Sequence, residues 1–333
     1  MGETRPVRLV AAPDKFRGTA SASDVAAAVQ RAAERCGWDF VARPLADGGE
    51  GTLDVLGGAN RESLVTGPLG DAVRAGWRLD GRTAVIEMAR AAGLVLAGGQ
   101  EGNDPVGAST AGVGELIIHA VEAGAKRIVV TVGGSATTDG GYGAIQALQP
   151  LPRLRGIDLV VACDVRTRFV DAASVFAPQK GASPAEVKFL RRRLDRLVQM
   201  YHELYGRDIG ELAGSGAAGG LAGGLAAIGA RLVGGFELVA EELDLEAVLE
   251  GADLVVTGEG YVDEQSFEGK VVGGVARLAQ AAGAQVLVVC GDVAPEVEGR
   301  LPMVSLVARF GEERAFADTT ACIEEAVTAY LSA

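Results

Sequence analysis

Several residue types and motifs are scarce in this sequence of 333 residues, and each absence argues against a class of site. The 4 cysteines include no CxxC pair, which argues against a zinc knuckle and a thioredoxin-like redox site. The 2 histidines, His119 and His202, lie in neither an HExxH motif nor a GxSxG elbow, so a Ser-His-Asp hydrolase is poorly supported. The GxxxxGK(S/T) pattern of a Walker A loop is also missing.

Positive charge and long apolar runs are scarce as well. The chain has 31 Lys and Arg against 44 Asp and Glu, for a formal net charge of −13. This balance argues against nucleic acid or an anionic membrane as a main partner, so any anion site must be local. The uncharged stretch 212–230 is mostly Gly and Ala, which favours a tightly packed helix over a membrane span. The N-terminal residues show no apolar stretch of the signal-peptide kind, so we expect a cytoplasmic protein.

Short apolar runs are abundant, and they indicate the fold class. Each of five runs has the length and composition of a buried parallel strand: RLVAA, IVVTV, DLVVA, DLVVT and VLVVC. Helical patterns lie between several of them, including one that starts at a Ser21–Asp24 capping box. The alternation predicts an α/β fold with parallel strands. The segment 60–88 instead has short alternating runs and a hairpin-like DGR turn, so we expect antiparallel or mixed sheet and the start of another domain there.

Acidic residues follow all five predicted strands. They are Asp14, Asp139, Asp164, Glu259 and Asp292. Ligands of such folds bind at the carboxyl ends of the strands. Each acid alone is typical of a helix cap or a turn, whereas five together favour a functional site.

The loop VGGSATTDGG, residues 132–141, has the composition of an anion site. Its glycines let backbone amides approach a ligand, and Ser135, Thr137 and Thr138 add hydroxyl groups, which suits phosphate or carboxylate. Asp139 in the same loop would hold a metal, take a proton from a nucleophile, or cap the next helix. Two further loops, LADGGEGTL and TGEGYVDEQSFEGK, also combine glycines with acids.

The remaining candidates are a glycine motif and the rare lysines. A GxGxxG occurs at Gly214, Gly216 and Gly219, but no strand precedes it, so close helix packing or an anion-facing helix start is favoured over a dinucleotide site. Only five of the basic residues are lysines, and Lys15, Lys180 and Lys270 lie in small-residue motifs. A compact ammonium suits a phosphate oxygen, with ordinary surface lysines as the alternative. Acids, glycine loops, hydroxyls and lysines together are typical of phosphoryl transfer.

Eight motifs in one order are similar to those of the bacterial type I glycerate kinases, and the similarity covers residues 7–292. The motifs are APDKFRGTASASDVA, PLADGGEGTLDVL, STAGVGELI, VGGSATTDGGYGAIQAL, VVACDV, VFAPQKGAS, GSGAAGGLAGGL and ADLVVTGEGYVDEQSFEGK. The resemblance implies an enzyme that phosphorylates D-glycerate, usually at the 2-hydroxyl, with ATP and Mg²⁺. The alternatives are a kinase for another small hydroxy acid, a nicotinamide-dependent oxidoreductase and a non-catalytic sugar-acid binding protein.

The resemblance also implies two α/β domains. One is a flavodoxin-like parallel-sheet domain formed by both chain ends, 1–60 and 248–333. The other is an inserted mixed α/β domain, 61–247. The resemblance places the active site in the cleft between them.

The loops and the resemblance together lead to a hypothesis for the site residues. For catalysis we predict that Asp139, with Asp47, orients or deprotonates the 2-hydroxyl of glycerate. For the substrate we predict contacts from Lys15, Arg17, Ser135, Asp263 and Gln265. For ATP and its phosphates we predict contacts from Gly48, Gly49, Gly133, Gly134, Thr138, Lys180, Gly216 and Lys270. For Mg²⁺ we predict the ligands Asp164 and Glu259.

The sequence departs from the pattern of the family in several places. Tyr261 stands where Arg is usual, and the link 148–158 is much shorter than usual, which leaves open an acceptor other than glycerate. In the first loop Arg17 stands where Lys is usual, and Lys15 where Ser is common. As partners we expect the small molecules glycerate and ATP but neither nucleic acid nor a membrane, and homodimer formation is left open.

Overall fold

The computed structural model describes residues 7–333. The strands in this range are β1 (Arg8–Ala11), β2 (Asp39–Ala42), β3 (Arg61–Thr66), β4 (Ala72–Asp80), β5 (Thr83–Glu87), β6 (Arg127–Thr131), β7 (Asp158–Ala162), β8 (Arg231–Val233), β9 (Leu254–Thr257), β10 (Tyr261–Val262), β11 (Gln285–Cys290), β12 (Asp292–Val293) and β13 (Met303–Ser305). All five apolar runs that predicted buried strands form strands, namely β1, β6, β7, β9 and β11.

Helices follow most of the strands. They are α1 (Ala22–Arg35), α2 (Thr52–Val55), α3 (Ala89–Ala92), α4 (Gly99–Gly102), α5 (Ala111–Glu122), α6 (Tyr142–Ala147), α7 (Ala172–Phe176), α8 (Pro184–Tyr205), α9 (Leu221–Ala227), α10 (Gly235–Glu242), α11 (Leu245–Leu249), α12 (Val271–Ala281), α13 (Leu306–Phe310), α14 (Glu312–Ala317) and α15 (Thr319–Leu331). The start of α1 follows from the predicted capping box, since Ser21 Oγ accepts from Asp24 N (3.1 Å) and Asp24 Oδ2 accepts from Ser21 N (3.0 Å).

The first compact unit contains residues 7–47 and 236–333. Its parallel sheet has the strand order β13-β11-β9-β1-β2. Numbered within the unit, this is the 2-1-3-4-5 order of flavodoxin-like folds. Helices α1 and α15 pack together, and their apolar residues, such as Val29 and Ile323, share a core with the sheet. The prediction of a flavodoxin-like domain formed by both chain ends is confirmed.

The second compact unit is Gly48–Gly235. Its sheet has the order β3-β4-β5-β6-β7-β8, in which β3, β4 and β5 pair antiparallel and β5 to β8 pair parallel. A core of β5, β6 and β7 residues packs with α5, α6 and α9. The mixed sheet predicted from the segment 60–88 is therefore present. The sequential parallel strands β5, β6 and β7 bring their carboxyl ends to one edge, where the functional loops begin.

The contacts divide the chain at 47/48 and 235/236 rather than at 60 and 248, the positions predicted from the sequence. Residues 48–60 belong to the second unit because α2 packs on β5 and its first turn bonds to the side chain of Glu87. Residues 236–247 belong to the first unit because the ring of Phe236 packs directly against Gly274 of α12. Both shifts thus follow from packing that has no signal in the local sequence.

Within residues 7–333, the structure contains no helix of the length and apolarity needed to cross a membrane. The uncharged stretch 212–230 forms the 3₁₀ turn Ala217–Gly220 and α9, and every residue of α9 is buried. The tightly packed helix predicted for this stretch is therefore present.

Candidate functional site

Two glycine-rich loops of the second unit lie side by side at the carboxyl edge of its sheet. A side chain on Gly133 would place its Cβ 2.9 Å from Gly49 Cα, so the backbones can approach this closely only without one. Gly134 is solvent-exposed, and a Cβ atom added to it would lie 3.3 Å from Glu50 Oε2. Four of the residues predicted to contact ATP therefore lie at one place: Gly48, Gly49, Gly133 and Gly134.

Loop 132–141 is fixed through its carbonyl groups. Five of its carbonyl oxygens accept hydrogen bonds from residues that are distant from the loop in the chain, and we call these bonds the loop anchors. They are Leu94 N to Gly134 O (2.8 Å), Asn103 Nδ2 to Ala136 O (3.0 Å), Lys180 Nζ to Thr137 O (2.6 Å), Arg193 Nη2 to Thr138 O (2.5 Å) and Tyr201 Oη to Gly140 O (3.1 Å). Because these carbonyls are occupied, most of the polar groups that the loop can offer to a ligand are hydrogen-bond donors.

Two threonine hydroxyls of this loop lack hydrogen-bond partners among residues 7–333. They are Thr137 Oγ1 and Thr138 Oγ1, and both are buried. A buried polar atom without a partner is uncommon and requires an explanation, such as a ligand or a bound water. The finding agrees with the anion-binding interpretation of this loop.

Asp139 accepts four hydrogen bonds within the second unit. Its Oδ2 accepts from Thr110 N (2.9 Å), Thr110 Oγ1 (2.8 Å) and Gly143 N (3.1 Å), and its Oδ1 accepts from Gly141 N (3.0 Å). Thr110 is the N-cap of α5, and Gly143 lies in the first turn of α6. The carboxylate thus joins the N-termini of two helices, which is the capping alternative that the sequence left open. Its role in proton transfer stays a prediction.

Lys180 lies beneath loop 132–141 with only 3% of its surface exposed. Its Nζ donates to Ser135 Oγ (2.7 Å) and to Thr137 O (2.6 Å). Burial lowers the pKa of this lysine to about 7, although the negative charge of Asp139 acts in the opposite direction. The ammonium therefore contacts the loop itself.

Glu87 is a residue of this region that the sequence reasoning missed. It ends β5, is 3% exposed, and its Oε2 accepts from Gly51 N (3.0 Å) and Leu53 N (3.2 Å). Burial raises the pKa of Glu87, against the effects of these amides and of Arg90. An acid that ends an apolar strand was the available signal, since the same pattern singled out the acids after the other strands.

The other predicted residues of the second unit have identifiable neighbours. Asp164 follows β7, and its Oδ1 accepts from Gly235 N (2.8 Å). Gly216 packs against the carbonyl oxygen of Arg168, which favours the close-packing interpretation of the GxGxxG motif. Gly219 of the same motif packs against the carbonyl oxygen of Thr137.

In the first unit, two acidic residues lie at the point where the strand order reverses. Asp14 follows β1, Glu259 follows β9, and Asp14 N donates to Gly258 O (2.8 Å) between them. Burial, followed by the charge of Asp47, raises the pKa of Asp14 to about 7. A crevice at such a reversal is where open α/β sheets bind ligands.

Glu259 also has a polar atom without a partner. Its Oε1 is buried and forms no hydrogen bond within residues 7–333. A hydrogen bond from Ser266 and the positive charge of Lys270 both stabilise the carboxylate. Burial raises the pKa of Glu259 despite both of these groups. The neighbouring loop is closed by mutual bonds between Asp263 and Ser266.

The predicted site residues are thus divided between the two units. The first unit contains Lys15, Arg17, Asp47, Glu259, Asp263, Gln265 and Lys270, and the second contains Gly48, Gly49, Gly133, Gly134, Ser135, Thr138, Asp139, Asp164, Lys180 and Gly216. The predicted metal ligands Asp164 and Glu259 belong to different units. In the described part of the chain, no three His, Cys, Asp or Glu side chains are grouped so that they could hold a metal ion.

Comparison with known proteins shows the family. The model of the glycerate kinase family matches residues 9–151 and 149–330. The glycerate 2-kinase of Escherichia coli (strain K12) is 38% identical, and the match covers 87% of each chain. The glycerate kinase of Bacillus subtilis (strain 168) is 36% identical, and the match covers 98% of this chain and 100% of the relative.

A solved structure gives the same result for the fold. A crystal structure from Salmonella typhimurium LT2, described as a glycerate kinase 2, superimposes with a TM-score of 0.82 at 34% identity. The match covers 98% of this chain and 97% of that one. The chain therefore belongs to the glycerate kinase family.

Proposed function

We propose that this enzyme transfers a phosphoryl group from ATP to the 2-hydroxyl of D-glycerate. Phosphorylation of glycerate by a kinase follows from the family, and the 2-hydroxyl is suggested by the E. coli relative, which is a glycerate 2-kinase. The observation that carries the proposal is loop 132–141, whose anchored carbonyls leave hydroxyl donors for a polyanion.

Within this proposal the chain's own residues bind and orient the substrates. Ser135 and the adjacent glycines Gly133 and Gly134 hold anionic oxygens, since a donor-rich loop with no bulky side chains admits a phosphate closely. Asp139 keeps the loop in place by joining α5 and α6. We assign the proton-accepting role to Asp47, because four hydrogen bonds, three of them at Oδ2, already hold the carboxylate of Asp139 in place.

Mg²⁺ is part of the proposal, and the acids present suit it. Glu259 Oε1 is buried without a partner among residues 7–333, and it belongs to a carboxylate, the ligand type that Mg²⁺ prefers. Mg²⁺ is usually bound by one or two carboxylates together with substrate phosphates, so the absence of a three-ligand group in the described residues is compatible with it. Glu259 is the residue that would hold it, and the part of Asp164 stays a prediction. When bound, the ion neutralises charge on the phosphate oxygens.

The decisive experiment identifies the product. The protein is incubated with ATP, Mg²⁺ and a panel of small hydroxy acids, and the products are assigned by phosphorus NMR. We expect 2-phosphoglycerate as the main product. Formation of 3-phosphoglycerate would contradict the position of transfer, and faster turnover of another hydroxy acid would contradict the acceptor. Other hydroxy acids are included in the panel because Tyr261, which is solvent-exposed, stands where Arg is usual in the family.

A further inference from the structure

We infer that Lys180 is a positioning residue, which directs the hydroxyl hydrogen of Ser135 toward an anionic oxygen of a bound substrate. The inference rests on the proposed function, because it assigns a task to a side chain beneath the same loop. It also changes the predicted role of Lys180 from a direct phosphate contact to a residue that acts through Ser135.

The geometry fixes both partners. Lys180 ends the 3₁₀ turn Pro178–Lys180, and its Nζ lies 2.7 Å from Ser135 Oγ and 2.6 Å from Thr137 O. Asn103 Nδ2 donates both to Lys180 O (2.9 Å) and to Ala136 O (3.0 Å), so it ties the turn to the loop. With 3% exposure, the ammonium is covered by the loop that it supports.

The direction of the hydroxyl follows from the chemistry of the ammonium. A charged lysine has three N–H donors and no lone pair, so Ser135 Oγ must be the acceptor in this contact. The hydrogen of Ser135 is then turned away from Lys180. Its bond from Lys180 is the one hydrogen bond of Ser135 Oγ within residues 7–333, so the hydrogen is available to an incoming acceptor. The positive charge beneath the oxygen makes this donor suited to an anion.

Neither of the two other charged groups that act on this loop, Asp139 and Arg193, accepts the hydrogen of Ser135. Asp139 acts on Lys180 electrostatically, but its carboxylate already accepts bonds from Thr110, Gly141 and Gly143. Arg193 on α8 donates to the neighbouring Thr138 O and keeps its charge near neutral pH, although burial lowers its pKa. The acceptor that fits Ser135 is therefore an anionic oxygen of phosphate or carboxylate.

The protonation state of Lys180 gives the inference a pH signature. Burial lowers the pKa of Lys180 to about 7, Asp139 opposes this, and Asp104 and Asp139 act on Arg193 beside it. A neutral amine has a lone pair and can accept the hydrogen of Ser135, which would turn the donor away from the ligand. Anion affinity should therefore fall as the pH rises through about 7.

A double-mutant cycle tests the coupling. Lys180→Met, Ser135→Ala and the double variant are compared in KM for glycerate and for ATP, in kcat, and in calorimetric titrations with ADP and with glycerate. A charge-assisted hydrogen bond is worth about 1.5–3 kcal/mol, so each single change should weaken one ligand roughly tenfold to a hundredfold. The double variant should bind the ligand as well as the single variant that has the lower affinity. The ligand affected shows whether phosphate or carboxylate is the acceptor.

Lys188→Met on the exposed side of α8 is the matched control, and we expect it to leave all constants unchanged. Additive losses in the cycle, or an unchanged affinity in Lys180→Met, would overturn the inference. If Lys180→Met does not fold, the wild type and Ser135→Ala are titrated from pH 6 to 9. The wild type should lose affinity above about pH 7, and Ser135→Ala should show no such loss. The same loss in both would also overturn it.

The two proposals fail in different ways. If the wild type does not phosphorylate glycerate, the proposed function is wrong. The calorimetric cycle with ADP still measures whether Lys180 and Ser135 are coupled. If the wild type is active and the cycle is additive, only the inference about Lys180 is wrong.

Discussion

The carboxylate of Asp139 joins the start of α5 to the first turn of α6. Replacing it tests whether Asp139 stabilises the fold or takes part in the reaction. In Asp139→Asn, an amide NH₂ would face backbone N–H donors, so we expect stability to fall by about 1–3 kcal/mol and activity to fall with it. Urea unfolding and kcat measure the two effects. The comparison variant is Asp47→Asn, for which we expect a loss of kcat. An Asp139→Asn enzyme that is as stable as wild type but inactive would return the proton-accepting role to Asp139.

Glu87 gives a prediction about pH. Burial raises its pKa in the folded state above 4.5, so between 4.5 and the folded pKa the native protein binds more protons than the unfolded chain. This group's contribution to stability therefore falls as the pH rises through that window, by at most about 1.4 kcal/mol per pH unit. Glu87→Gln keeps an oxygen for Gly51 N and Leu53 N and should lack the fall.

The measurement for Glu87 is denaturant unfolding of both proteins from pH 4 to 8. As the pH rises, the stability of Glu87→Gln relative to the wild type should increase and then become constant. A difference that is independent of pH would show that Glu87 has an ordinary pKa in the folded protein.

At this scale the sequence identified the loops but not the residues that fix them. Glycines, hydroxyls and Asp139 could be recognised as a donor-rich loop because they are contiguous. Lys180, Arg193 and Tyr201 bond to the loop from far along the chain, so their roles depend on the tertiary fold. The burial of Lys180 could not be predicted either, since its motif, APQKGAS, is equally compatible with a surface turn.

Among the parallel strands, the central ones were predictable and the edge ones were not. The runs that became β1, β6, β7, β9 and β11 are buried on both faces and so read as continuous apolar segments. The strands β2, β8 and β13 lie at sheet edges and are short and partly exposed, so their sequences carry no such pattern. Antiparallel β3, β4 and β5 were recognised by alternation instead.

The turn before α9 provides an element-scale prediction. Gly219 has φ +66 and packs against the carbonyl oxygen of Thr137, so a methyl group there would collide with loop 132–141. We expect Gly219→Ala to lose stability by several kcal/mol and to weaken ligand binding, because backbone strain and collision add. Gly37→Ala is the matched control, since Gly37 has φ +74 with open space around it and should cost only the strain, about 1–2 kcal/mol. Equal losses in the two variants would show that the packing against Thr137 contributes nothing.

For the whole molecule, the acidic net charge of −13 means that anion binding must be produced locally. A ligand that binds only the folded protein raises its stability by an amount set by concentration and affinity. With ADP and Mg²⁺ at about a hundred times their Kd, we expect a gain of about 2.7 kcal/mol in thermal or urea unfolding. Chelation of the Mg²⁺ should remove most of the gain. If the gain in stability is unchanged after chelation, Mg²⁺ and the acidic residues do not take part in binding ADP.

The two-unit organisation was predictable from the resemblance, whereas its boundaries depend on packing. The interactions of α2 with β5 and of Phe236 with Gly274 shift the divisions to 47/48 and 235/236. Neither interaction has a local sequence signal, because each joins segments far apart in the chain.

The loop anchors have a consequence for selectivity. Leu94, Asn103, Lys180, Arg193 and Tyr201 hold five consecutive or nearly consecutive peptide groups, so loop 132–141 gives up its conformational entropy during folding. The loop therefore loses little further entropy when a ligand binds, and it can adapt its conformation to a ligand only slightly. Such a preorganised loop should discriminate steeply between acids that differ by a single methylene, because it cannot rearrange to fit the poorer one.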